Sequence, residues 1–270
     1  MPEAFTLDKF AQHPFYQEVN RRLIALAALR PGQRVVDLGA GTGTVTRLLV
    51  AEVASGPGAE VIAVEPSESA LDIASRNLEN IRGAVVSFVQ GRGERLSLLV
   101  RRPADAVFFC NAIHLVKEKA EAMKEVASTL RQGGTFSFNT SFYQGAEPPE
   151  AEQFYRRWMM RAMRVLKRRY DLTPDRHKVE ARVRLSEEEY LQLLREHGFQ
   201  VKKKEVVKVE MSLKAMEDIS EYSLWIEGVL PGVPLKEGSE ALKEGAREAF
   251  ADLGLTSSPR NWLLIVASKT

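Results

Sequence analysis

The sequence predicts an α/β fold in which helices cover both faces of a doubly wound, mostly parallel sheet of seven strands. Short runs of β-branched and apolar residues, typical of parallel strands buried on both faces, alternate with segments of helical periodicity. The clearest example is the run Arg34–Leu38, which passes through a glycine-rich turn into a helical segment that begins at Thr44. This strand, turn and helix form the unit around which we interpret the rest of the chain.

The glycine-rich turn has the spacing of a ligand-binding loop. Gly39, Gly41 and Gly43 stand on alternate residues, where a side chain would keep a ligand away from the backbone. The third glycine of a dinucleotide-binding fingerprint is missing, since Thr44 occupies its place, and no Gly-Lys-Ser/Thr of a phosphate-binding loop follows. A tight turn from strand to helix without any ligand is the alternative.

Six more strands and several helices follow from the same patterns. The predicted strands cover residues 60–65, 84–89, 105–110, 135–140, 201–209 and 261–267. The predicted helices cover residues 1–30, 70–78, 117–130, 187–194 and 240–253, and Gly133-Gly134 is expected to end the third of them. Two segments, 144–184 and 211–259, interrupt the series of strands and have helical patterns. We expect them to pack together as a helical lid.

Composition excludes several classes of protein. A net charge of +2 on 270 residues gives no indication of a nucleic-acid partner. The single cysteine, Cys110, excludes an intrachain disulfide framework and a multi-cysteine metal site, and it is expected to be buried. The N-terminal stretch has early acids, Glu3 and Asp8, and no long apolar run, so we predict no signal peptide, no membrane span and a cytoplasmic location. We also predict no metal site and consider a homodimer possible.

With Asp37 directly before the glycine turn, the stretch resembles the first motif of the class I S-adenosylmethionine-dependent methyltransferases, especially the small-molecule type of ubiquinone and menaquinone biosynthesis. The resemblance covers roughly residues 33–142, 186–210 and 260–269. It implies a Rossmann-like core that binds S-adenosyl-L-methionine, formed by residues 1–143, 185–210 and 260–270. Residues 144–184 and 211–259 would then form the lid or substrate subdomain.

The resemblance assigns cofactor contacts to the first two strand ends. Asp37, Gly39, Ala40 and Gly41 belong to the first motif. Glu65, followed by Pro66, ends the second strand at about the distance from the turn where an acid accepts the ribose hydroxyls. A second role for Glu65, as an acid at the start of the next helix, is compatible with the first.

The segment after the third strand is similar to the family's Gly-Asp-Ala-Glu-x-Leu motif, which reads the adenine edge. Arg92 stands where the family has an acid, and this departs from the usual side-chain contact. The backbone N–H of Gly93 can still bind adenine, because an N–H needs no particular side chain. Glu94 either caps the next helix or replaces the missing acid.

Three further candidates have an alternative each. Asn111, or its backbone, follows the fourth strand and could hold the methionine amine. Tyr16 could close over the cofactor or, with Phe15, simply attach its helix to the domain. His114 is the candidate general base, and a structural imidazole bonded to the backbone is the alternative. Residues that the sequence does not rank are Tyr143, His177, Tyr222 and Glu227.

These features predict a methyltransferase that acts on a small, mostly apolar molecule, such as a natural product, quinone or lipid precursor. Trp158, Met159, Met160, Met163 and Trp225 could line an apolar pocket, although packing core is the commoner use of such residues. An RNA or protein methyltransferase, or a non-catalytic cofactor-binding module, is the alternative. The basic residues of 156–169 could contact RNA or form a solvated helix face.

Overall fold

The structure is a computed structural model that describes residues 5–175 and 184–270. Its strands are β1 (Arg34–Leu38), β2 (Glu60–Glu65), β3 (Val85–Gln90), β4 (Ala104–Cys110), β5 (Leu130–Thr140), β6 (Phe199–Ser212) and β7 (Ser257–Lys269). They form one seven-stranded sheet of order β3-β2-β1-β4-β5-β7-β6. The pairings from β3 through β5 are parallel, and β7 runs antiparallel to β5. The predicted fold class, an α/β fold with a mostly parallel seven-stranded sheet, is confirmed.

Helices connect and follow these strands. They are α1 (Asp8–Ala11), α2 (Pro14–Ala27), α3 (Thr44–Val53), α4 (Glu68–Leu78), α5 (Leu96–Leu99), α6 (Lys119–Thr129), α7 (Pro149–Val165), α8 (Glu187–Glu196), α9 (Leu213–Ile219), α10 (Ser223–Val229) and α11 (Leu235–Leu253). Ser67 caps α4, and Ser186 with Glu189 forms a capping box on α8. Short 3-10 turns cover Gly93–Arg95 and Ile113–Leu115, and a π-helical turn, Leu166–Tyr170, extends α7.

The first helical segment differs from its prediction. The sequence predicts helical structure over residues 1–30, with the aromatic cluster at 13–16 just upstream of the helix, whereas the described part contains α1 and α2 with a break before Pro14, and residues 14–16 lie inside α2. Proline lacks an N–H and disfavours helical backbone in the residue before it, so it begins a new helix rather than continuing the first. The helix also ends early, at Ala27, because Ala28 takes a left-handed φ of 51°.

The end of the helix before β5 agrees with its prediction within one residue, but the role predicted for Gly133-Gly134 as its terminator is wrong. α6 ends at Thr129, and Gly133 and Gly134 lie inside β5 rather than in a helix-to-strand turn. The pairing of β4 with β5 shifts register between Ala104 and Ala106. An added Cβ at Gly134 would lie 2.8 Å from the carbonyl oxygen of Arg131. Glycines inside a strand therefore mark a local irregularity here: Gly134 has no room for a side chain, and Gly133 has a left-handed φ of +69°.

The described residues group into two compact units. The sheet unit consists of residues 18–144, 184–207 and 262–270, and the helical unit consists of residues 5–17, 145–175 and 208–261. The sheet unit buries an apolar core between the sheet and its helices, which includes Leu23, Leu49, Phe108, Phe136 and Phe138. Within the described ranges, none of the helices combines the length and the hydropathy that a membrane span requires.

Helices α7 and α11 pack closely in the helical unit. An added Cβ at Gly245 would lie 2.6 Å from the backbone nitrogen of Ala162, so the two helix backbones nearly touch there. The indole Nε1 of Trp158 donates to the carbonyl of Leu242 at 2.7 Å, and the side chain is fully buried. Trp158 is therefore packing core, and Met160, which is 48% exposed, lies on the surface.

Many of the basic residues of α7 and the turn after it have acidic partners on α11. Arg161 pairs with Glu248 and Asp252, Arg157 pairs with Asp252, and Arg168 and Arg169 pair with Glu244. Ion pairs on a partly exposed helix face contribute little stability each, but they neutralise the positive charge locally. This arrangement favours a solvated helix face over a nucleic-acid contact.

Candidate active site

The glycine turn is held against the end of β2. The backbone N–H groups of Gly39 and Ala40 both donate to the carbonyl of Val64, at 2.8 Å and 3.2 Å. Gly39 has a φ of +73°, and an added Cβ would lie 2.8 Å from the Cβ of Ala112. Glycine is required at this position by both backbone conformation and space. The turn and the segment that follows β4 are thereby brought into contact.

Gly41 faces open space. Its φ is +54°, and no atom lies within 4 Å of the position that an added Cβ would occupy. Its N–H donates to Oε2 of Glu65 at 3.0 Å. The glycine therefore leaves a gap above the turn that a ligand can enter to touch the backbone.

Asp37 is a buried carboxyl group with one oxygen unused. The side chain is 1% exposed, and its Oδ2 accepts a hydrogen bond from the hydroxyl of Thr46 at 2.7 Å. Among the described residues, Oδ1 has no hydrogen-bond partner. Burial raises the pKa of Asp37 to about 7; the nearby Glu65 charge adds to this shift, and the Thr46 hydrogen bond opposes it. An ammonium group placed at Oδ1 would satisfy this oxygen and favour the ionised form.

Glu65 spans the space between the glycine turn and the start of α4. Its Oε2 accepts from Gly41, and its Oε1 accepts from the backbone N–H of Ser67 at 3.1 Å. Each carboxylate oxygen has a second lone pair, so the group can also accept two hydroxyl donors. The next residue, Pro66, has its carbonyl bonded by the side chain of Gln90 at 3.2 Å. Glu65 is thus fixed by backbone contacts and is not a freely solvated side chain.

The predicted adenine segment lies against the end of β1. Gly93 is buried, and an added Cβ would meet Leu38 at 3.3 Å. It opens a 3-10 turn, where the first N–H groups have no acceptor within the turn. The side chain of Arg92 is exposed, and Glu94 is half-buried in that turn. The backbone of Gly93 remains the candidate for reading adenine, as the sequence predicts.

Asn111 belongs to a buried polar network. It adopts a left-handed φ of 51°, directly after β4. Its backbone N–H donates to the side-chain Oδ1 of Asn139 at 2.9 Å, and its own Oδ1 accepts from the indole Nε1 of Trp262 at 2.8 Å. Asn139 in turn donates to Oδ1 of Asn20 on α2 at 2.8 Å. Four side chains from α2, β5, β7 and the end of β4 therefore position one another.

His114 lies in the short turn that follows. Its Nδ1 is 3.1 Å from the hydroxyl oxygen of Thr140, which also accepts the backbone N–H of Phe142 at 3.0 Å. The ring of Phe142 packs beside the imidazole, with 5.1 Å between the ring centroids. The partner of Nδ1 is therefore a side-chain hydroxyl. The role of His114 as a base stays a prediction.

The remaining candidates lie elsewhere in the molecule. Tyr16 belongs to the helical unit, is 5% exposed and packs edge-on against Phe10 at 5.7 Å. This contact lies within the helical unit, and the predicted contact of Tyr16 with the cofactor stays a prediction. His177 lies outside the described residues. Cys110 is buried, and burial together with the nearby Asp37 charge raises the pKa of its thiol.

Sequence reasoning missed the residues that support this site. Thr46, Asn139, Thr140 and Trp262 are all buried side chains that bond the candidate residues. Asn139 and Thr140 carried a signal, since polar residues at the end of an otherwise apolar strand require internal partners. Trp262 carried none, because it lies 151 positions from its partner Asn111.

The residues present fit S-adenosylmethionine. The unused Oδ1 of Asp37 is an acceptor for an ammonium group, and the fixed carboxylate of Glu65 is an acceptor for a ribose diol. The open space beside Gly41 lets a ligand approach the backbone next to Glu65. These groups come from the carboxyl ends of β1 and β2, where open α/β sheets bind ligands.

Comparison with known proteins agrees with this geometry. Residues 35–134 match the family described as methyltransferase domain. The ubiquinone/menaquinone biosynthesis C-methyltransferase UbiE of Ectopseudomonas mendocina is 32% identical over 115 residues, which cover 42% of this chain and 44% of the relative. An uncharacterized methyltransferase of Mycobacterium bovis is 38% identical over 104 residues, 38% of this chain and 37% of the relative. The chain thus matches less than half the length of either relative.

Solved structures show the same fold at low identity. A putative methyltransferase from Bacillus halodurans superposes with a TM-score of 0.61 at 18% identity, over 93% of this chain and 99% of the other. A methyltransferase from Thiobacillus denitrificans, solved with S-adenosyl-L-homocysteine, gives a TM-score of 0.58 at 19% identity, over 100% and 99% of the two chains. Both alignments extend well beyond the matched family segment.

Proposed function

We propose that this chain, whose residues 35–134 match the methyltransferase domain family, is a class I S-adenosylmethionine-dependent methyltransferase that transfers a methyl group to a small, mostly apolar molecule. The observation that carries the proposal is the pairing of a buried Asp37, with one oxygen lacking a partner, and a Glu65 anchored on Gly41. Together they offer acceptors for an amino-acid ammonium and a ribose at adjacent strand ends.

When bound, S-adenosylmethionine supplies an electrophilic methyl group on a sulfonium, so the protein has to supply position and environment. Asp37 accepts the ammonium, Glu65 accepts the ribose hydroxyls, and the backbone of Gly93 faces the adenine. Ala112 touches Gly39, so the segment after β4 lies beside the turn and can hold the acceptor molecule close. His114 in that segment removes a proton from the acceptor where the reaction requires it.

The substrate class rests on two observations. One relative is named a ubiquinone/menaquinone biosynthesis C-methyltransferase, which supports an apolar ring compound as the acceptor. The ion pairs between α7 and α11 engage basic residues that an RNA-binding enzyme would need to leave available. A small apolar acceptor is therefore favoured over RNA.

Binding of the cofactor product tests the proposal directly. We expect isothermal titration with S-adenosylhomocysteine to give one site per chain with a dissociation constant in the micromolar range or below. Incubation with labelled S-adenosylmethionine and a menaquinone precursor should then label the acceptor. Absence of binding in the titration would refute the proposal, and binding without transfer to any quinone-like acceptor would refute the substrate class.

His114→Gln tests the proposed base. We expect kcat to fall about 100-fold and the acidic limb of the kcat profile to disappear, because glutamine keeps hydrogen bonding but cannot take up a proton. The measurement uses saturating S-adenosylmethionine, so that the titration of Asp37 does not contribute. The matched control is His197→Gln, since His197 bonds the carbonyl of Leu193 at the end of α8. An unchanged pH profile in the His114 variant would assign His114 a structural role.

A further inference from the structure

The side-chain amide of Asn111 has a fixed orientation. An indole N–H is a donor only, so the atom of Asn111 that faces Trp262 at 2.8 Å has to be the amide oxygen. The NH2 group therefore points away from Trp262. Trp262 is 1% exposed, which leaves it little freedom to release this bond.

The amide nitrogen has no use within the protein. Nδ2 of Asn111 is buried and lacks a hydrogen-bond partner among the described residues. A buried donor without an acceptor is costly, and native proteins leave few of them without a function. The backbone cannot turn away to relieve it, because Asn111 is held in left-handed conformation by its bonds to Asn139.

This donor lies at the same end of the sheet as the unused oxygen of Asp37. β1 and β4 are adjacent parallel strands, with Asp37 beside Phe108, and Ala112 touches the glycine turn. One unpaired acceptor and one unpaired donor are complementary to an amino-acid zwitterion, whose ammonium donates and whose carboxylate accepts. An ammonium cannot bind Nδ2, so this unpaired donor suits the carboxylate of the zwitterion. The predicted contact of Asn111 Oδ1 or its backbone with the methionine amine stays a prediction.

We propose that Asn111 Nδ2 donates to the α-carboxylate of the cofactor's methionine portion, and that Trp262 is the positioning residue that aims it. The inference rests on the proposed function, since it concerns the same cofactor. It adds a contact with the carboxylate to the contact with the amine that the sequence predicts for Asn111, and it makes the β7 residue Trp262 a determinant of cofactor binding.

Two ligands separate the carboxylate contact from every other contact: S-adenosylhomocysteine and its decarboxylated analogue. Asn111→Asp replaces the donor by an anionic acceptor of the same shape. We expect it to lower the affinity for S-adenosylhomocysteine at least about 10-fold. Its affinity for the decarboxylated analogue should stay within about twofold of the wild-type value. Titration calorimetry gives both constants.

Trp262→Phe removes the indole N–H and keeps an aromatic ring. We expect it to weaken the binding of S-adenosylhomocysteine and to leave the binding of the decarboxylated analogue unchanged, because the side-chain amide of Asn111 can then rotate. Trp158→Phe is the matched control, since it also removes a buried indole hydrogen bond, to Leu242, but in the helical unit. The control should lower the thermal midpoint and keep the wild-type ratio of the two affinities.

If the Asn111 and Trp262 variants lost affinity equally for both ligands, the inference would be overturned and the network would have a role in folding alone. Unchanged S-adenosylhomocysteine affinity with a raised KM for the methyl acceptor would also overturn it, because the donor would then bind the substrate. If wild-type protein binds neither ligand, the proposed function fails together with this inference. If it binds both ligands equally, only the inference fails.

Discussion

Asp37→Asn is expected to weaken S-adenosylmethionine binding about 100-fold or more and, at the same time, to stabilise the ligand-free protein above pH 7. The variant loses the anion that the ammonium pairs with, and breaking such a buried pair weakens binding about 100-fold or more. Without ligand, the same carboxylate is a buried charge whose Oδ1 has no partner among the described residues. Removing that charge removes its desolvation cost and so raises the free energy of unfolding of the ligand-free protein.

The pH dependence follows from the pKa of about 7 that Asp37 has in the folded protein, against an ordinary value of 3.8. Between about pH 4 and about pH 7 the Asp37 carboxyl is protonated in the folded protein and ionised in the unfolded chain. The free energy of unfolding of the wild type therefore falls as the pH rises through this range. We expect the Asn variant to gain about 2 to 4 kcal/mol over the wild type at pH 8 and little at pH 4. Urea unfolding of ligand-free protein at both pH values measures this difference.

Asp105→Asn is the matched control for these measurements. Partial burial would raise the pKa of Asp105, but bonds from the Arg131 guanidinium and the Arg34 backbone outweigh it and lower the pKa. Its substitution should therefore reduce stability at neutral pH and leave cofactor affinity unchanged. A stability loss in both variants, or retained cofactor binding in the Asp37 variant, would contradict the role assigned to Asp37.

The parallel strands and their ends were predictable because their signal is local. A strand buried on both faces reads as a continuous apolar run, so the ranges predicted for β1 to β4 agree with the structure within a residue or so. The outer strand β6 is three residues longer at its carboxyl end than predicted, since an edge strand alternates polar and apolar residues and lacks a clear end. The proline at position 14 was also a local signal, because α2 begins there, whereas the prediction placed residues 13–16 upstream of the helix.

The support of the candidate site was not predictable in this way. The bond from Gly41 to Glu65 spans 24 positions, and the bond from Trp262 to Asn111 spans 151. Such partners are chosen by strand order and register, which no short window of sequence contains. Motif spacing could name Asp37 and Glu65, but the unused atoms of Asp37 and Asn111 emerge only from the folded arrangement.

Glu65→Gln is the second substitution with a large expected effect, about 100-fold weaker binding of S-adenosylhomocysteine. Both carboxylate oxygens already accept backbone N–H groups, from Gly41 and Ser67. Glutamine replaces one acceptor by an NH2 group, which then meets an N–H donor and turns the side chain away. The ribose would lose its charged acceptor, and the glycine turn would lose the hydrogen bond from Gly41 to Glu65.

Comparison of two ligands distinguishes two roles of Glu65: binding of the ribose hydroxyls and support of the glycine turn through Gly41. If Glu65 accepts the ribose hydroxyls, the wild type should bind S-adenosylhomocysteine at least about 10-fold more tightly than its 2′-deoxy analogue, and the Gln variant should bind both alike. Glu68→Gln is the control, because Glu68 is an exposed acid in the first turn of α4 and should affect neither affinity. A wild type that does not discriminate between the ligands would limit Glu65 to bracing Gly41, and the ribose would then need another acceptor.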